Sequence, residues 1–295
     1  MTSYLPWYLS YSLAAAAVAV LSGGALLYHY QCEIIYPANF PEGSRKHVAK
    51  PSQYNLPYED LTLITPDKVK IKAYLIKHPD DSIARRRPTI LYLHANAGNM
   101  GHRLSIAEVF YKQFGCNIFM LSYRGYGLSE GSPSEKGLKI DAKTALDYIK
   151  KHPVIAETKL IAYGQSIGGA VSIDIVANNE EAFSGLIIEN TFLSLRKVIP
   201  HVLPMIARVA FLCHQKWDSE KMIRGITRLP VLFLSGLKDE LVPPSHMKEL
   251  YRVLDTTGEV VWTEFPNGTH NDTCLKDGYF EAIKKFLNGI TAKQE

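Results

Sequence analysis

Cysteine is scarce in this 295-residue sequence, and none of it is arranged as a site. Cys32, Cys116, Cys213 and Cys274 stand alone, outside any C-x-x-C pair or Cys/His cluster with the spacing of a metal site. The sequence therefore excludes a disulfide-stapled miniprotein and predicts neither a structural zinc nor a metal or organic cofactor.

An excess of charge of one sign is also missing. Lys and Arg number 33 against 29 Asp and Glu, a net charge of +4 that is scattered along the chain without a nucleic-acid-binding motif. We therefore expect no nucleic-acid partner. Because 46% of the residues are hydrophobic, the chain can bury the core of one large domain, which excludes intrinsic disorder.

Charge is absent altogether from residues 1–32. Residues 7–30 read WYLSYSLAAAAVAVLSGGALLYHY, and about 20 such residues cross the hydrocarbon core of a bilayer as a helix. Aromatic rings, which favour the two membrane interfaces, bracket the run. They are Tyr4, Trp7, Tyr8 and Tyr11 at one end and Tyr28, Tyr30 and Tyr36 at the other. The sequence predicts an uncleaved, single-pass membrane anchor over residues 1–32.

A cleaved signal peptide is the main alternative to an anchor, and a buried helix is another. No basic segment precedes the apolar run, and the run exceeds the roughly 7–15 residues of a signal-peptide core. Both features favour the anchor, with the endoplasmic reticulum or another endomembrane as the expected location.

The side of the membrane stays open at this stage. Arg45, Lys46 and Lys50 follow the anchor and favour a cytosolic domain. The acceptor sequons at Asn267 and Asn271 would matter in a lumenal domain, although glycans there would flank a candidate catalytic histidine. Isolated cysteines fit the cytosol slightly better.

A proline-rich linker over residues 33–57 leads into one expected large domain over residues 58–295. Residues 60–77 predict a β-hairpin around a Pro-Asp turn. Short β-branched runs then alternate with helical segments, which predicts an α/β fold with a mainly parallel sheet and helices on both faces. The runs are TILYLH, NIFMLSY, KLIAYG, GLIIE, VLFLSG and VVWTEF, and the helical segments are 102–114, 134–151, 167–178, 245–254 and 278–290.

Residues 191–229 interrupt this alternation with additional apolar, helical sequence. Two interpretations are open. The segment is either a helix packed on the sheet or a small helical cap over the site, with an apolar acyl pocket beneath it.

The sequence from Gly164 to Gly169, GQSIGG, directly follows the run KLIAY and opens a helical segment. This is the sequence and the context of the nucleophile elbow of α/β-hydrolases, a sharp strand-to-helix turn that needs small residues on both sides. Ser166 is therefore the candidate nucleophile. Its place at a helix N-terminus favours developing negative charge.

An acid and a histidine follow Ser166 in the order that this fold requires. Asp239 comes after the run VLFLSG, and His270 comes after VVWTEF with one helix left to run. We expect His270 to take the Ser166 proton and Asp239 to orient the imidazole. Glu240 and Glu189 are rival acids, and none of the other nine histidines holds the position after the last strand.

An oxyanion hole should combine the backbone N–H of Ile167 with one from the loop after TILYLH. Asn96 is the first choice in that loop, with Ala95 or Ala97 as alternatives because the sequence does not fix the register.

Six blocks in order together resemble the α/β-hydrolase-domain-containing protein 13 group, which includes the fungal bud-emergence (Bem-type) hydrolases. The resemblance covers about residues 55–290 and extends to the anchor. The blocks are HANAGNMGHR (94–103), YRGYG (123–127), GQSIGG (164–169), ENTFLS (189–194), SGLKD (235–239) and GTHNDT (268–273). Ala95 departs from the usual glycine of the group, and Ser122 from its usual aspartate.

This resemblance implies a membrane-anchored serine hydrolase with Ser166, Asp239 and His270 as its triad. It narrows the substrate to acyl esters and thioesters, carried by a lipid or by an acylated protein. Within that class we favour protein depalmitoylation. The alternatives are a serine peptidase on the same fold and a catalytically idle membrane scaffold.

Overall fold

The computed structural model describes residues 7–292, with side chains from residue 11 onward. Tyr4 therefore lies outside the described residues, and nothing is described of the side chains of Trp7 and Tyr8. The ring of Tyr36 differs from the expectation of an interfacial aromatic. The ring is only 3% exposed, so it packs inside the protein and does not face lipid.

The chain begins with one long apolar helix, α1 (Trp7–Ile35). Its part from Tyr11 to Ile35 is long and apolar enough to cross a membrane, and 0% of its most apolar window is buried by the protein. The helix ends just before Pro37, as expected because proline disfavours helical backbone at the residue that precedes it.

Eight strands form one sheet in the order β1-β2-β4-β3-β5-β6-β7-β8. The strands are β1 (Tyr58–Ile64), β2 (Lys70–Ile76), β3 (Thr89–Leu93), β4 (Asn117–Ser122), β5 (Leu160–Gln165), β6 (Gly185–Glu189), β7 (Val231–Gly236) and β8 (Val260–Phe265). β1 and β2 form the predicted hairpin, β2 pairs antiparallel with β4, and all further pairs are parallel. The predicted mainly parallel sheet is confirmed.

Helices cover both faces of the sheet, as predicted. They are α2 (Asp81–Ala84), α3 (Leu104–Lys112), α4 (Glu135–Lys151), α5 (Ile167–Ala177), α6 (Leu195–Val202), α7 (Ser219–Met222), α8 (Pro244–Val253) and α9 (Tyr279–Ala292). Short 3₁₀ helices lie at Pro51–Tyr54, Met100–Arg103, Glu180–Ala182, Pro204–Leu212, Ile223–Gly225 and Thr273–Leu275. Alternate residues of each strand point to opposite faces of the sheet, so the domain has two hydrophobic cores. Helices α4, α5 and α8 pack on one face, and α3 and α9 pack on the other.

The proline-rich segment after α1 packs on the domain. The Asn99 side chain donates to the carbonyls of Ser44 (2.8 Å) and His47 (3.0 Å), and the Gly98 N–H donates to the Phe40 carbonyl (2.7 Å). Because these bonds join residues about 50 positions apart in sequence, the segment holds α1 and the loop after β3 together rather than acting as a free tether.

The centre of the fold depends on a close approach of α5 to β3 and β5. A Cβ atom at Gly168 would lie 2.0 Å from the Leu93 carbonyl oxygen, and one at Gly164 would lie 2.1 Å from the Gly168 carbonyl oxygen. Only glycine allows these backbones to come so close.

Gly168→Ala should therefore lower the free energy of unfolding by about 3 kcal/mol, since a side chain forced into a packed core displaces backbone. Gly289→Ala is the matched control within helix α9, where the nearest atom to the added methyl is 3.9 Å away. It should stabilise the protein by up to about 1 kcal/mol through helix propensity. Urea unfolding in a mild detergent measures both, and equal stability of the two variants would contradict the role of this approach.

Candidate active site

Ser166 lies at the turn from β5 into α5, with φ 56° and ψ −120°. A positive φ is strained for a residue with a side chain, and such strain persists only where the surroundings enforce it. Here the Ser166 N–H donates to the Glu189 carbonyl (2.9 Å), and the Thr191 hydroxyl donates to the Ser166 carbonyl (2.7 Å). The turn thus presents the Ser166 hydroxyl above the carboxyl edge of the sheet.

The structure brings Ser166, His270 and Asp239 into one line. His270 Nε2 lies 3.0 Å from Ser166 Oγ, and His270 Nδ1 lies 2.8 Å from Asp239 Oδ2. The other Asp239 oxygen accepts the backbone N–H groups of Leu241 (2.9 Å) and Val242 (2.7 Å). Because a carboxylate can only accept, Nδ1 of His270 carries the proton of this bond, and the unprotonated Nε2 accepts the hydrogen bond of the Ser166 hydroxyl.

The two rival acids have other contacts. Glu240 Oε2 accepts the backbone N–H of His270 (3.1 Å) and so helps to position the loop. Glu189 is buried and accepts the hydroxyls of Tyr163 (2.7 Å) and Tyr279 (2.6 Å), and its burial raises the pKa of its carboxyl group. The carboxylate hydrogen-bonded to the imidazole of His270 is that of Asp239.

Two side chains that the sequence did not single out hold the His270 loop. The Gln165 amide donates to the His270 carbonyl (2.9 Å), and the Asn190 amide donates to the Thr269 carbonyl (3.2 Å) and the Thr273 hydroxyl (3.0 Å). Gln165 lies in the elbow motif, between Gly164 and Ser166. Asn190 lies in the block ENTFLS (189–194), but its contacts could not be predicted there, since its partners lie about 80 residues further along the chain.

The residues expected to form the oxyanion hole meet beside Ser166. Ile167 is the first residue of α5, where backbone N–H groups have no partner within the helix. Asn96 lines the same pocket, but its side chain has other partners. Its amide donates to the carbonyl of Ile35 (2.5 Å), and its oxygen accepts the Tyr126 hydroxyl (2.6 Å). Asn96 therefore connects the loop after β3 to the end of α1.

His94 supports this loop from below. Its Nδ1 lies 2.7 Å from the Ala95 carbonyl oxygen, which can only accept, so Nδ1 is the protonated nitrogen. The ring is buried against Tyr123 and Tyr126, and burial lowers the pKa of His94 to about 3. The side chain is therefore neutral at physiological pH.

The pocket in front of Ser166 has a volume of about 380 Å³ and is mostly apolar. Residues 191–229 contribute Phe192, Leu195, Val198, Ile199, Val202 and Leu203 to its wall, and α1 contributes Ile34 and Ile35. The apolar residues of the interrupting segment thus line the site. Among the described lining residues, Arg103 and His270 are the ones that can carry charge, and none is acidic.

The two sequons differ in position. Asn271 lines the pocket, so a glycan there would block it. Asn267 is exposed, and its side-chain oxygen accepts the Lys238 ammonium group (2.7 Å). Within residues 7–292, no group of three or more His, Cys, Asp or Glu side chains could hold a metal ion.

Known proteins share both the sequence and the fold. The profile of the serine aminopeptidase S33 hydrolases matches residues 84–228. Protein bem46 of Schizosaccharomyces pombe is 49% identical over 95% of this chain and 93% of its own length. An uncharacterized membrane protein of Saccharomyces cerevisiae is 46% identical over 89% of this chain and 90% of its own length.

Among solved structures, an α/β hydrolase from Vibrio vulnificus superposes with a TM-score of 0.69. The match covers 87% of this chain and 92% of that one at 22% sequence identity. At that identity the likeness concerns the fold, which is the predicted α/β-hydrolase fold.

Asp239→Asn should lower kcat/KM about 10³-fold or more, because an amide favours the wrong imidazole tautomer. Glu240→Gln keeps an acceptor for the His270 N–H and should lower kcat/KM less than about tenfold. Hydrolysis of a p-nitrophenyl ester measures both variants. A larger loss in Glu240→Gln than in Asp239→Asn would contradict the assignment of the acid.

The burial of His94 should make stability depend on pH. The unfolded chain binds a proton at this residue below about pH 6.5, whereas the folded protein binds it only near pH 3. Stability is therefore fully present above pH 6.5 and falls as the pH falls toward 3. In urea unfolding between pH 7 and 4, the wild type should lose up to about 1.4 kcal/mol per pH unit more than His94→Gln. If the free energy of unfolding fell with pH equally in the two proteins, this expectation would be contradicted.

Proposed function

Because this chain belongs to the Bem-type group of α/β-hydrolases, we propose that it is a serine hydrolase that cleaves carboxylic esters or thioesters of long acyl chains. The observation that carries the proposal is the line from Asp239 through His270 to Ser166, which ends in an apolar pocket. The hydrolase fold is common to the family. The triad and the acyl substrate are our assignment.

In the first half of the proposed reaction, His270 Nε2 takes the proton of Ser166 Oγ as the oxygen attacks the acyl carbonyl carbon. The carbonyl oxygen becomes an oxyanion, which accepts the N–H of Ile167 and a backbone N–H of the loop at Asn96. Asp239 stabilises the imidazolium. Collapse of the intermediate expels the alcohol or thiol, which leaves with the proton from His270.

In the second half, water takes the place of the leaving group. His270 removes a proton from the water, the hydroxide attacks the acyl-Ser166 carbonyl, and the carboxylic acid leaves as Ser166 recovers its proton. The same two groups thus serve both halves of the cycle, and the cycle needs no cofactor.

The pocket wall favours a long acyl chain as the group bound next to Ser166. Its apolar residues come from α1, the loop after β3 and residues 191–229, and burying methylenes against them is favourable. Palmitoyl thioesters of protein cysteines are the specific case that we favour within this class. A thiol is a good leaving group, and a membrane-anchored enzyme meets acylated proteins at the membrane surface.

A serine aminopeptidase is the second candidate, since the matching profile has that description. Such an enzyme would need a partner for the α-ammonium group of its substrate. No described residue that lines the pocket is acidic, and Arg103 would repel that group. An idle scaffold is the third candidate. It is disfavoured because Ser166, Asp239 and His270 are all present at hydrogen-bonding distances.

For location, we propose a single membrane pass through α1 in the endoplasmic reticulum or another endomembrane. The apolar span of α1 and the similarity to a membrane protein of S. cerevisiae support an anchor. A catalytic domain on the cytosolic side would leave Asn271 without a glycan and the pocket open.

A fluorophosphonate probe tests the catalytic assignment. Wild-type protein should be labelled at Ser166 and should hydrolyse p-nitrophenyl palmitate, whereas Ser166→Ala should lose both the label and the activity. Ser172→Ala is a matched control, because that hydroxyl is buried in α5 and donates to the Gly168 carbonyl (2.8 Å). It should keep the label.

Failure of folded wild-type protein to label would refute the hydrolase assignment and favour the scaffold. Turnover of aminoacyl amides at rates comparable with esters would instead favour the peptidase.

A further inference from the structure

One edge of the segment 191–229 is unusually apolar for a surface in water. We call residues 199–213, with the sequence IPHVLPMIARVAFLC, the cap edge. Among these fifteen residues there is no Asp, Glu or Lys, and Arg208 is the single Arg. Met205 is 99% exposed and Phe211 66% exposed, and Val202 and Leu203 are also exposed. Clustered exposed side chains of this kind mark a surface that contacts something other than water.

The cap edge lies directly against α1. Gln31, buried although it belongs to the apolar helix, accepts the backbone N–H of His214 (2.7 Å) and donates to the Leu212 carbonyl (3.4 Å). The rings of Tyr28 and His214 meet edge to face at 4.8 Å. One stripe of α1 thus fixes the cap edge to the membrane-spanning helix.

Contact between the two extends well along the span. Leu212 Cδ1 would be 3.7 Å from a Cβ atom at Gly24, and Gly24 precedes Ile35 by 11 residues. At 1.5 Å per residue this is about 16 Å along the helix axis. A bilayer core of about 30 Å needs only about 20 of the 25 residues from Tyr11 to Ile35, so it reaches the depth of Gly24 wherever the helix sits.

The catalytic pocket begins where α1 and the cap edge meet. Ile34 and Ile35 of α1, with Ile199 and Leu203 of the cap edge, line the pocket of Ser166. The same four residues also line a small apolar cavity between α1 and the cap edge, which extends to Leu27 and Leu212. Apolar side chains therefore continue without interruption from the pocket of Ser166 to the part of α1 that faces lipid.

We propose that the cap edge enters the same membrane leaflet as the C-terminal part of α1, and that the acyl chain of the substrate passes from this leaflet to Ser166 between the two. The occupant of the apolar surface is the lipid hydrocarbon itself. We assign lipid to this surface because the cap edge packs directly against α1, the helix that would span the membrane. The route rests on the proposed hydrolase function. It implies that long acyl chains are still embedded in the bilayer when they are bound, whereas a short ester in water does not depend on it.

This route avoids the exposure of methylene groups to water, which would oppose the transfer of a long chain from a membrane to a pocket in the aqueous phase. It also explains why Met205 and Phe211 are exposed although neither lines the catalytic pocket.

The test uses the full-length protein in phosphatidylcholine vesicles and two esters with the same leaving group. One is 4-methylumbelliferyl palmitate dissolved in the vesicles, and the other is 4-methylumbelliferyl butyrate in water. In the double variant Met205→Glu and Phe211→Glu, kcat/KM for the palmitate should fall about tenfold or more, because carboxylates are expelled from hydrocarbon. Its kcat/KM for the butyrate should stay within about twofold of the wild type.

Two controls accompany the double variant. Met205→Leu with Phe211→Leu should keep both activities, because it preserves apolar character. Ile64→Glu adds a carboxylate at a position as exposed as Phe211 (66%), on the outermost strand of the sheet, and should also keep both activities.

A separate readout of insertion does not depend on catalysis. Phe211→Trp should gain tryptophan fluorescence that phosphatidylcholine brominated on its acyl chains quenches, beyond the quenching of the wild type. Equal activities of the double Glu variant and the wild type on the palmitate, an equal fall on both esters, or no added quenching would overturn the proposal. A wild-type protein inactive on both esters, with quenching present, would instead refute the hydrolase function while leaving the insertion.

Discussion

The candidate site depends on one close approach, that of the first turn of α5 to the ends of β3 and β5. Gly164 and Gly168 permit backbone contacts that any Cβ atom would prevent. The turn between them forces Ser166 to a φ of 56°, and the packed glycines on either side hold it there. The other two candidate catalytic side chains are arranged around Ser166. His270 bonds to it from the loop after β8, and Asp239 bonds to His270 from the loop after β7.

A second constraint acts at the other end of the pocket, where hydrogen bonds hold the C-terminal end of α1 against the domain. Gln31 bonds to the backbone at His214, the Tyr36 hydroxyl accepts the Trp217 N–H (2.8 Å), and Asn96 bonds to the carbonyl of Ile35. The helix that would span the membrane therefore forms part of the wall of the pocket in front of Ser166. Its position relative to Ser166 is set by hydrogen bonds, so the orientation of the pocket toward the bilayer is a property of the fold.

Sequence patterns were sufficient for the sheet, its helices and the order Ser166, Asp239, His270, because period and turn chemistry are local signals. They favoured Asp239 over the adjacent Glu240 from its position in the turn, but the folded structure was needed to show which carboxylate bonds to the imidazole of His270. They also could not reveal the contribution of Ile35 to the pocket, since Ile35 fell in the predicted linker and belongs to α1 in the structure. The expectation of an interfacial Tyr36 is wrong because its burial depends on Trp217, which is distant in sequence.

The most direct test of a serine hydrolase whose pocket opens to the bilayer is a covalent probe with two reactive ends. A hexadecyl fluorophosphonate with a photoreactive diazirine at the chain terminus would be added to vesicle-bound protein, irradiated and mapped by peptide mass spectrometry. We predict a phosphonyl adduct on Ser166 with cross-links to residues 199–213 or to the last turns of α1. An adduct on another residue, or cross-links confined to surfaces remote from α1, would contradict this arrangement.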